Sequence, residues 1–456
     1  GLPLRVRHHR VSERAAPIRF DTGGELCYRD WGGRWQVSRP SEPGVAVIAG
    51  LPYNPRVIGA PGDAALAAEV ARFVGCGPAV GDWFISLEAI PSQQCGTLVH
   101  QAMRHGGGAL ARERGDGAAD ALLRVPGDTL ETCLIALEEE LGDKVLADAV
   151  RETARAWART SFALDCRGRR LEVGRRTLLM GIVNVTPDSF SDGGAFFDAR
   201  RAIEHGLRLA AEGADILDVG GESTRPGAEP VSAEAECQRV LPVIEALARD
   251  ASVPVSVDTS KSLVALRALD AGAAIINDVT ALRGDPEMAA VAARSGAPLV
   301  LMHMQGTPRT MQQHPHYANL MGEVLAYLRA SMALAADAGV SEEQLVVDPG
   351  LGFGKALEHN LELLRRLGEL RSLGRPILAG PSRKSFIGKL TGAPVGERLF
   401  GTAAAVALAI ERGAHILRVH DVAAMRQAAL LADALGAAPP PTRGAGGGKG
   451  PAEAPQ

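Results

Sequence analysis

Residues 178–194 read LLMGIVNVTPDSFSDGG. An apolar run of strand length stops at Asn184 and gives way to a polar, glycine-rich loop. One such junction is ordinary, because asparagine forms turns readily. In this chain the device recurs: apolar runs lie at 178–185, 214–219, 254–257, 274–279, 298–303, 345–348, 376–380 and 415–420. Between them, 199–212, 234–249, 261–271 and 357–372 read as helices. Gly213, Gly272, Gly296, Gly339, Gly374 and Gly413 stand just past helices, where a left-handed residue is needed. Eight strand–helix units over about 260 residues predict an α/β chain with a (β/α)8 TIM barrel. A doubly wound open sheet uses the same units, but the number of runs and the lack of a GxGxxG turn after the first favour the barrel. The stretch 162–177, FALDCRGRRLEVGRRT, alternates around a turn and predicts a hairpin at the barrel bottom.

The whole chain has 456 residues, too long for one typical domain. Residues 1–160 mix short apolar runs with Gly and Pro and predict a smaller α+β N-terminal domain; 161–436 form the barrel. The tail 437–456, AAPPPTRGAGGGKGPAEAPQ, has little to bury and reads as disordered. The net charge of −4 gives no electrostatic case for nucleic acid or an anionic membrane as partner. No apolar run is long enough to span a bilayer. The opening GLPLRVRHHRVSER is basic but lacks the apolar core of a signal peptide. Six scattered cysteines, without a CxxC pair, fit reduced thiols in a cytoplasmic protein.

In such a barrel the chemistry stands at the C-terminal strand ends. The first run ends in Asn184, and the second in Gly220 followed by GESTRPGA with Glu222, Thr224 and Arg225. The third ends in Asp258, the fourth in Asn277 and Asp278, the fifth in His303 and the sixth in Asp348. Ser382, Arg383 and Lys384 follow the seventh, and the eighth carries Arg418 and His420. A single Asn or Asp at a strand end is more often a turn former or helix cap than a ligand. That reading fits Asp278 and Asp421, and His303 alone reads as a satisfied core histidine. Eight polar ends on one rim exceed what a structural barrel needs. Asp258, Asn277 and Asp348 suit a flat heterocycle with several N–H donors, such as a pterin or guanine-like ring. Arg225, Lys384, Arg418 and His420 suit a phosphate or pyrophosphate. Asn184 is a neutral oxygen donor acceptable to Mg²⁺ when phosphate oxygens and water complete its shell. These pieces point to transfer of a group that carries a pyrophosphate leaving group.

The stretches MGIVNVTPDSFSDGG, GADILDVGGESTRPGA, VSVDTS, AAIINDV, LVLMHMQGTP, VVDPGLGFGK, GPSRKSFIG and LRVHDV occur in this order. On them, 178–436 resembles the dihydropteroate synthase family of the folate pathway, with Pro381 before SRKS a minor variation. The resemblance implies joining of 6-hydroxymethyl-7,8-dihydropterin pyrophosphate to p-aminobenzoate. It implies a pterin pocket of Asp258, Asn277, Asp348 and Lys384, and pyrophosphate contacts from Thr224, Arg225, Arg418 and His420. Pro187, Phe190, Thr224, Pro226, Phe353, Lys384 and Ser385 match the p-aminobenzoate side. Asn184 matches the Mg²⁺ position, and Asp258, Lys384, Arg418 and His420 the groups on which turnover depends. It further implies a sulfonamide target and a homodimer; the loops TPDSFSDGG (186–194), which ends in two glycines, and STRPGA (223–228), which contains Pro–Gly, read as lids. Ser385 reads equally well as a helix cap, and Phe190 as a loop anchor.

The first third weakly resembles the extra domain of some longer bacterial members, for which the residues suggest no chemistry. It reads as a helix, a Gly-rich turn, strands and closing helices, ending in AVRETARAWAR at 149–159. His100 and His105 lack the i, i+4 spacing of a metal pair. Every residue assigned to chemistry lies between Asn184 and His420, so turnover is expected without residues 1–160. Residues 402–410, TAAAVALAI, are apolar all round, and either the N-terminal domain or a second subunit is expected to cover them. Two rival functions share parts of this pattern: a pterin-binding methyltransferase acting with a corrinoid, and a non-catalytic paralogue serving as a binding module. The first has no need of GPSRKSFIG or the two long loops, and the second would have lost rim charges.

Overall fold

The computed structural model of the chain describes residues 27–29, 35–37, 53–59, 81–114, 116–185, 195–223, 230–307 and 310–436. The tail and the loops 186–194 and 224–229, with Pro187, Phe190, Thr224, Arg225 and Pro226, lie outside the described residues. Strands β1 (Cys27–Arg29) and β2 (Trp35–Val37) pair antiparallel. Next come β3 (Arg56–Gly59), β4 (Asp82–Pro91), α1 (Ser92–Arg104), β5 (Gly108–Glu113) and β6 (Ala118–Pro126), then α2 (Leu130–Leu141) and α3 (Lys144–Ala158). The four strands form an antiparallel sheet in the order β3-β4-β6-β5. Its apolar side meets the helices in a core that includes Ile85, Leu98, Leu123, Leu134 and Trp157. Asp143 caps α3 by accepting from the Leu146 amide at 3.0 Å.

After α3, β7 (Phe162–Cys166) and β8 (Arg169–Val173) form the hairpin anticipated at 162–177. The barrel follows as β9 (Leu178–Asn184), α4 (Ala195–Glu212), β10 (Ile216–Gly220), α5 (Ala233–Asp250), β11 (Val255–Asp258), α6 (Ser262–Asp270), β12 (Ile275–Asp278), α7 (Met288–Ser295) and β13 (Leu299–Met302). It continues through α8 (Leu320–Asp337), β14 (Leu345–Asp348), α9 (Leu357–Arg365), β15 (Leu378–Ala379), α10 (Ser385–Thr391), α11 (Leu399–Glu411), β16 (Ile416–Val419) and α12 (Val422–Gly436). The eight strands run parallel in the order β14-β13-β12-β11-β10-β9-β16-β15, and a bridge between Val347 and Ile377 closes the ring. The six glycines placed after helices all have positive φ, from 64° to 107°.

Strand alternation explains why these runs are apolar throughout. Leu179, Val183, Leu217, Val219, Val257, Ile276, Leu299 and Leu417 pack outward against the helices. Met180, Ile216, Ile275, Val300, Val346, Leu378 and Ile416 point inward and meet Phe162, Leu164, Cys166 and Val173 of the hairpin. The hairpin therefore plugs the end opposite the strand C-termini, and both strand faces are buried. The predicted helix 357–372 differs: it stops at Arg365 and resumes as a 3₁₀ segment, Leu367–Leu373. Leu367, Leu370 and Leu373 are all buried, and a three-residue repeat is the spacing that a 3₁₀ helix puts on one edge.

The N-terminal unit packs on this 3₁₀ segment and on α8. The Val57 amide donates to Ser372 Oγ at 2.9 Å. Arg371 lies 4.6 Å from the Trp157 ring centroid and donates to the Trp157 carbonyl at 2.8 Å. Arg56 pairs with Glu88 and, at 3.2 Å, with Glu369. Buried Arg329 of α8 donates to Asn54 Oδ1 and the Pro55 carbonyl. None of these contacts involves α11, whose Thr402, Ala405, Val406 and Ala409 face inward while Phe400 and Leu408 are exposed beside exposed Leu430, Leu431 and Leu435 of α12. Among the described residues, the N-terminal contacts named here leave the exposed side of 402–410 uncovered.

Candidate active site

The rim side chains come together as the alternation dictates. Asp218, Asp258, Asn277, Asp348 and Arg418 stand on the inward faces of five strands. The Arg418 guanidinium bridges two acids, donating from Nε to Asp218 Oδ2 at 2.6 Å and from Nη2 to Asp258 Oδ2 at 2.6 Å. Asn277 Nδ2 donates to the same Asp218 oxygen at 3.1 Å. Asp218 is wholly buried, and its Oδ1 has no protein partner. Burial pushes the Asp258 carboxyl up to about 7; the Arg418 charge opposes this and the neighbouring acid Asp218 adds to it. Burial likewise raises Asp348 to about 6, against the Gly350 amide, which donates to Asp348 Oδ1 at 2.7 Å. The two acids next to Arg418 outweigh its own burial and hold it firmly charged.

Lys384 precedes α10, and its Nζ lies 4.0 Å from the Phe353 ring centroid. Burial and the Arg418 charge lower its ammonium to about 8. Phe353 sits on the Gly350–Gly354 turn, where Gly350, Gly352 and Gly354 all have positive φ. A Cβ on Gly350 would collide with the His303 carbonyl, so glycine is required there. Asn360 of α9 accepts from the Gly352 amide at 2.7 Å and donates to the Lys355 carbonyl at 3.1 Å, which fixes the turn. Buried Lys355 donates to His303 Nδ1 at 2.9 Å and the Phe353 carbonyl at 3.0 Å. Burial lowers Lys355 to about 7 and His303 well below the usual imidazole range.

The remaining sequence-derived residues sort clearly. Asn184 is half-buried at the end of β9, in register with Gly220, and Gly220 in turn with Asp258. His420 Nδ1 lies 3.0 Å from Ser382 Oγ, and burial with the Arg383 charge lowers it to about 3. The Arg383 side chain pairs with Asp421 at 3.0 Å, so that carboxylate serves an ion pair. Asp278 accepts from the Thr280 and Leu282 amides, as a turn former does. Ser385 is exposed at the first position of α10, with Lys384 in the capping position. Lys261 links Glu222 to buried Glu236, and Glu222 accepts from the Val231 amide at 3.0 Å, which pins both ends of the loop 224–229.

Two contributors escaped the sequence reading. Asp218 was legible as an acid inside a five-residue run buried on both faces, ILDVG, where an acid needs a partner. Lys355 stands in VVDPGLGFGK, and only the folded turn shows its ammonium directed back at His303.

A closed parallel barrel whose mouth holds buried acids around one arginine is a small-molecule site rich in hydrogen-bond acceptors. Residues 180–420 match the family model described as pterin binding enzyme. A dihydropteroate synthase from Synechocystis sp. is 50% identical over 263 residues, which cover 58% of this chain and 91% of that relative. The solved Xanthomonas albilineans dihydropteroate synthase with 4-aminobenzoic acid is 50% identical, with a TM-score of 0.58 over 61% of this chain and 100% of that one. The same enzyme in complex with 7,8-dihydropteroate gives 47% identity and a TM-score of 0.55 over 61% and 100%. The chain belongs to the dihydropteroate synthase family of pterin-binding enzymes.

Proposed function

We infer that the barrel joins 6-hydroxymethyl-7,8-dihydropterin pyrophosphate to p-aminobenzoate, giving 7,8-dihydropteroate and pyrophosphate. The observation that carries this reading is the buried Asp218–Arg418–Asp258 bridge with Asn277 and Asp348, set beside Lys384 over Phe353, in a chain 50% identical to a dihydropteroate synthase over 263 residues. The C–O bond to pyrophosphate breaks, a C–N bond forms to the aryl amine, and the amine then sheds one proton. The amine is neutral at pH 7, so the demand falls on the leaving group and on the cation developing at the pterin methylene. Asp258, Asn277 and Asp348 accept from the ring N–H groups, and the carboxylates of Asp258 and Asp348 stabilise that cation. Lys384 touches both halves of the reaction, with Phe353 as the apolar wall for p-aminobenzoate. Arg225 and His420 complete the pyrophosphate side, with Thr224; Pro187, Phe190, Pro226 and Ser385 complete the p-aminobenzoate side. Arg418, expected among the pyrophosphate contacts, has its head between the two pterin-side acids, which supports a role in setting their charge.

A lone neutral amide at the rim suits a cation that keeps its own waters, so Asn184 fits Mg²⁺ better than an all-protein cage would. Mg²⁺ bound there would offset charge on the pyrophosphate oxygens. The protein works as a homodimer through the uncovered faces of α11 and α12, and in the cytoplasm, where Cys95, Cys133, Cys166 and Cys237 stay as buried free thiols. A pyrophosphate-release assay with the pterin pyrophosphate, with and without p-aminobenzoate, tests the function. Release that requires both substrates is expected; release indifferent to p-aminobenzoate, or none, refutes it.

A further inference from the structure

The N-terminal sheet touches the barrel at the helix end that faces the catalytic rim. Helix α8 follows the connection that leaves β13, and its N-cap is Asn319, whose Oδ1 accepts from the Gly322 amide at 3.2 Å. The other end of that amide leaves the barrel: Asn319 Nδ2 donates to Glu88 Oε1 on β4 at 2.7 Å. Glu88 Oε2 accepts from Asn54 at 2.9 Å, and Asn54 also donates to the Gly322 carbonyl at 3.0 Å. A Cβ on Gly322 would meet the Glu88 carboxylate and the Asn319 amide, so the absence of a side chain at 322 leaves room for their hydrogen bond.

From Asn319 the connection runs back over the site. Tyr317 OH donates to the Gly354 carbonyl at 2.7 Å, and Gln312 Nε2 to the Gly352 carbonyl at 2.7 Å. Gln305 and the His316 backbone exchange two hydrogen bonds, at 2.8 and 3.2 Å, which fold the connection on itself. Phe353 lies between the two held carbonyls, packs with Met304 and Met311, and carries the Lys384 ammonium over its ring. Resting on the function proposed above, we propose that the N-terminal sheet positions the p-aminobenzoate half of the site, with Glu88 and Asn319 as positioning residues that act through the Tyr317 and Gln312 contacts on the Phe353 turn. Of the pterin half, Asp258 and Asn277 stand on β11 and β12 with Asp218 and Arg418 and take none of their described contacts from this chain of bonds, and only Asp348, through the Gly350 amide, and Lys384, over Phe353, adjoin the braced turn.

Asn319→Asp tests this in the full chain. Aspartate caps a helix as well as asparagine does, but it offers Glu88 a like charge in place of a donor. Asn319→Ser also keeps the cap and is too short to reach Glu88, and Glu88→Ala cuts the bond from the other side. Loss of one charge-assisted hydrogen bond predicts a KM for p-aminobenzoate raised about five-fold or more, with the KM for the pterin pyrophosphate changed less than about two-fold. The double variant Glu88→Ala/Asn319→Ser should add little to either single change. A merely structural contact would lower the melting temperature and leave both KM values alone. Folded variants with an unchanged p-aminobenzoate KM, or with both KM values raised alike, overturn the brace while the parent's activity stands. A parent protein that releases no pyrophosphate overturns the assigned function, and the brace with it.

Discussion

Replacing Lys384 by Met should make the protein a far poorer catalyst and a more stable fold. The ammonium is partly buried over Phe353, and burial with the Arg418 charge lowers it from the usual 10.5 to about 8. Below pH 8 the amine is charged in both the folded and unfolded states, so the native state carries the full cost of the charged form. Holding the charged form there costs the fold about 1–2 kcal/mol once partial exposure is allowed for. Methionine keeps the apolar stem against Phe353 and removes the charge. The melting temperature at pH 7 should therefore rise by about 2–4 °C per kcal/mol recovered. Turnover loses the charged contact shared by both substrates, about 2–4 kcal/mol, or roughly 30- to 1000-fold in kcat. The two measurements are pyrophosphate release under saturating substrates and thermal unfolding by circular dichroism. Near-parental turnover would refute the catalytic assignment. A folded variant with lost turnover and a lower melting temperature would refute the argument that the site holds this charge at a cost to the fold.

Three further electrostatic and assembly tests, and one deletion, follow from the same contacts. Asp258 must ionise and Lys384 must stay protonated, so kcat/KM should rise through about pH 7 and fall above about pH 8, and Lys384→Arg should shift the alkaline limb upward if any turnover remains. His415, whose Nδ1 accepts from the Ile377 amide at 3.0 Å while its ring meets Phe162 edge-on at 5.3 Å, is lowered by burial to about 4. Between pH 6.5 and 4 the unfolded state binds the extra proton, so stability falls as the pH drops, by up to roughly 3 kcal/mol, and His415→Gln should flatten that slope in urea titrations. Light scattering at micromolar concentration should give a dimer, and Leu408→Lys with Leu431→Lys should give a monomer, because both side chains lie on the uncovered face of α11 and α12. A chain beginning at Ser161 keeps the residues assigned to chemistry and should still release pyrophosphate, with a raised p-aminobenzoate KM and poorer solubility as Arg329 and Glu369 become exposed.

The barrel was legible because burial on both faces leaves each strand an unbroken apolar run, and because a left-handed glycine marks the helix ends. Its limits were legible only within a residue or two: β15 shrinks to Leu378–Ala379 between Pro376 and Gly380, where the sequence suggested five residues. The 357–372 segment misled because Leu367, Leu370 and Leu373 satisfy an α-helical and a 3₁₀ pattern alike, and packing against Trp157 and the N-terminal sheet decides between them. In the first third, β4 stayed hidden. Its ten residues are interrupted by a register shift between Leu87 and Ile90, with Ala89 at a φ of 53°, so no clean alternation reaches the sequence. The brace through Glu88 was invisible for a different reason: its partners, Asn54, Asn319 and Gly322, lie as much as 268 residues apart.

The same distinction governs the site. Spacing identifies which groups reach the rim, but pairing among them depends on the level at which each side chain is rooted. Arg418 sits opposite Met180 on β9, and Met180 opposite Ile216 on β10, so its Cα lies a full layer below Asp218. Asp258 is in register with Gly220, a layer above Asp218 again. A short side chain at position 418 would end among the apolar inner residues. Arginine spans both layers, and its planar fork meets Asp218 and Asp258 with separate nitrogens. Lysine there could not hold both acids with fixed geometry, and it would leave Asp258 higher in pKa and more often protonated. The bridge thus places one acid, Asp218, where solvent cannot reach it, and keeps the other, Asp258, available as an acceptor at the mouth. That division of labour between two aspartates is a property of strand register, and it is what converts eight polar strand ends into a site with a defined charge.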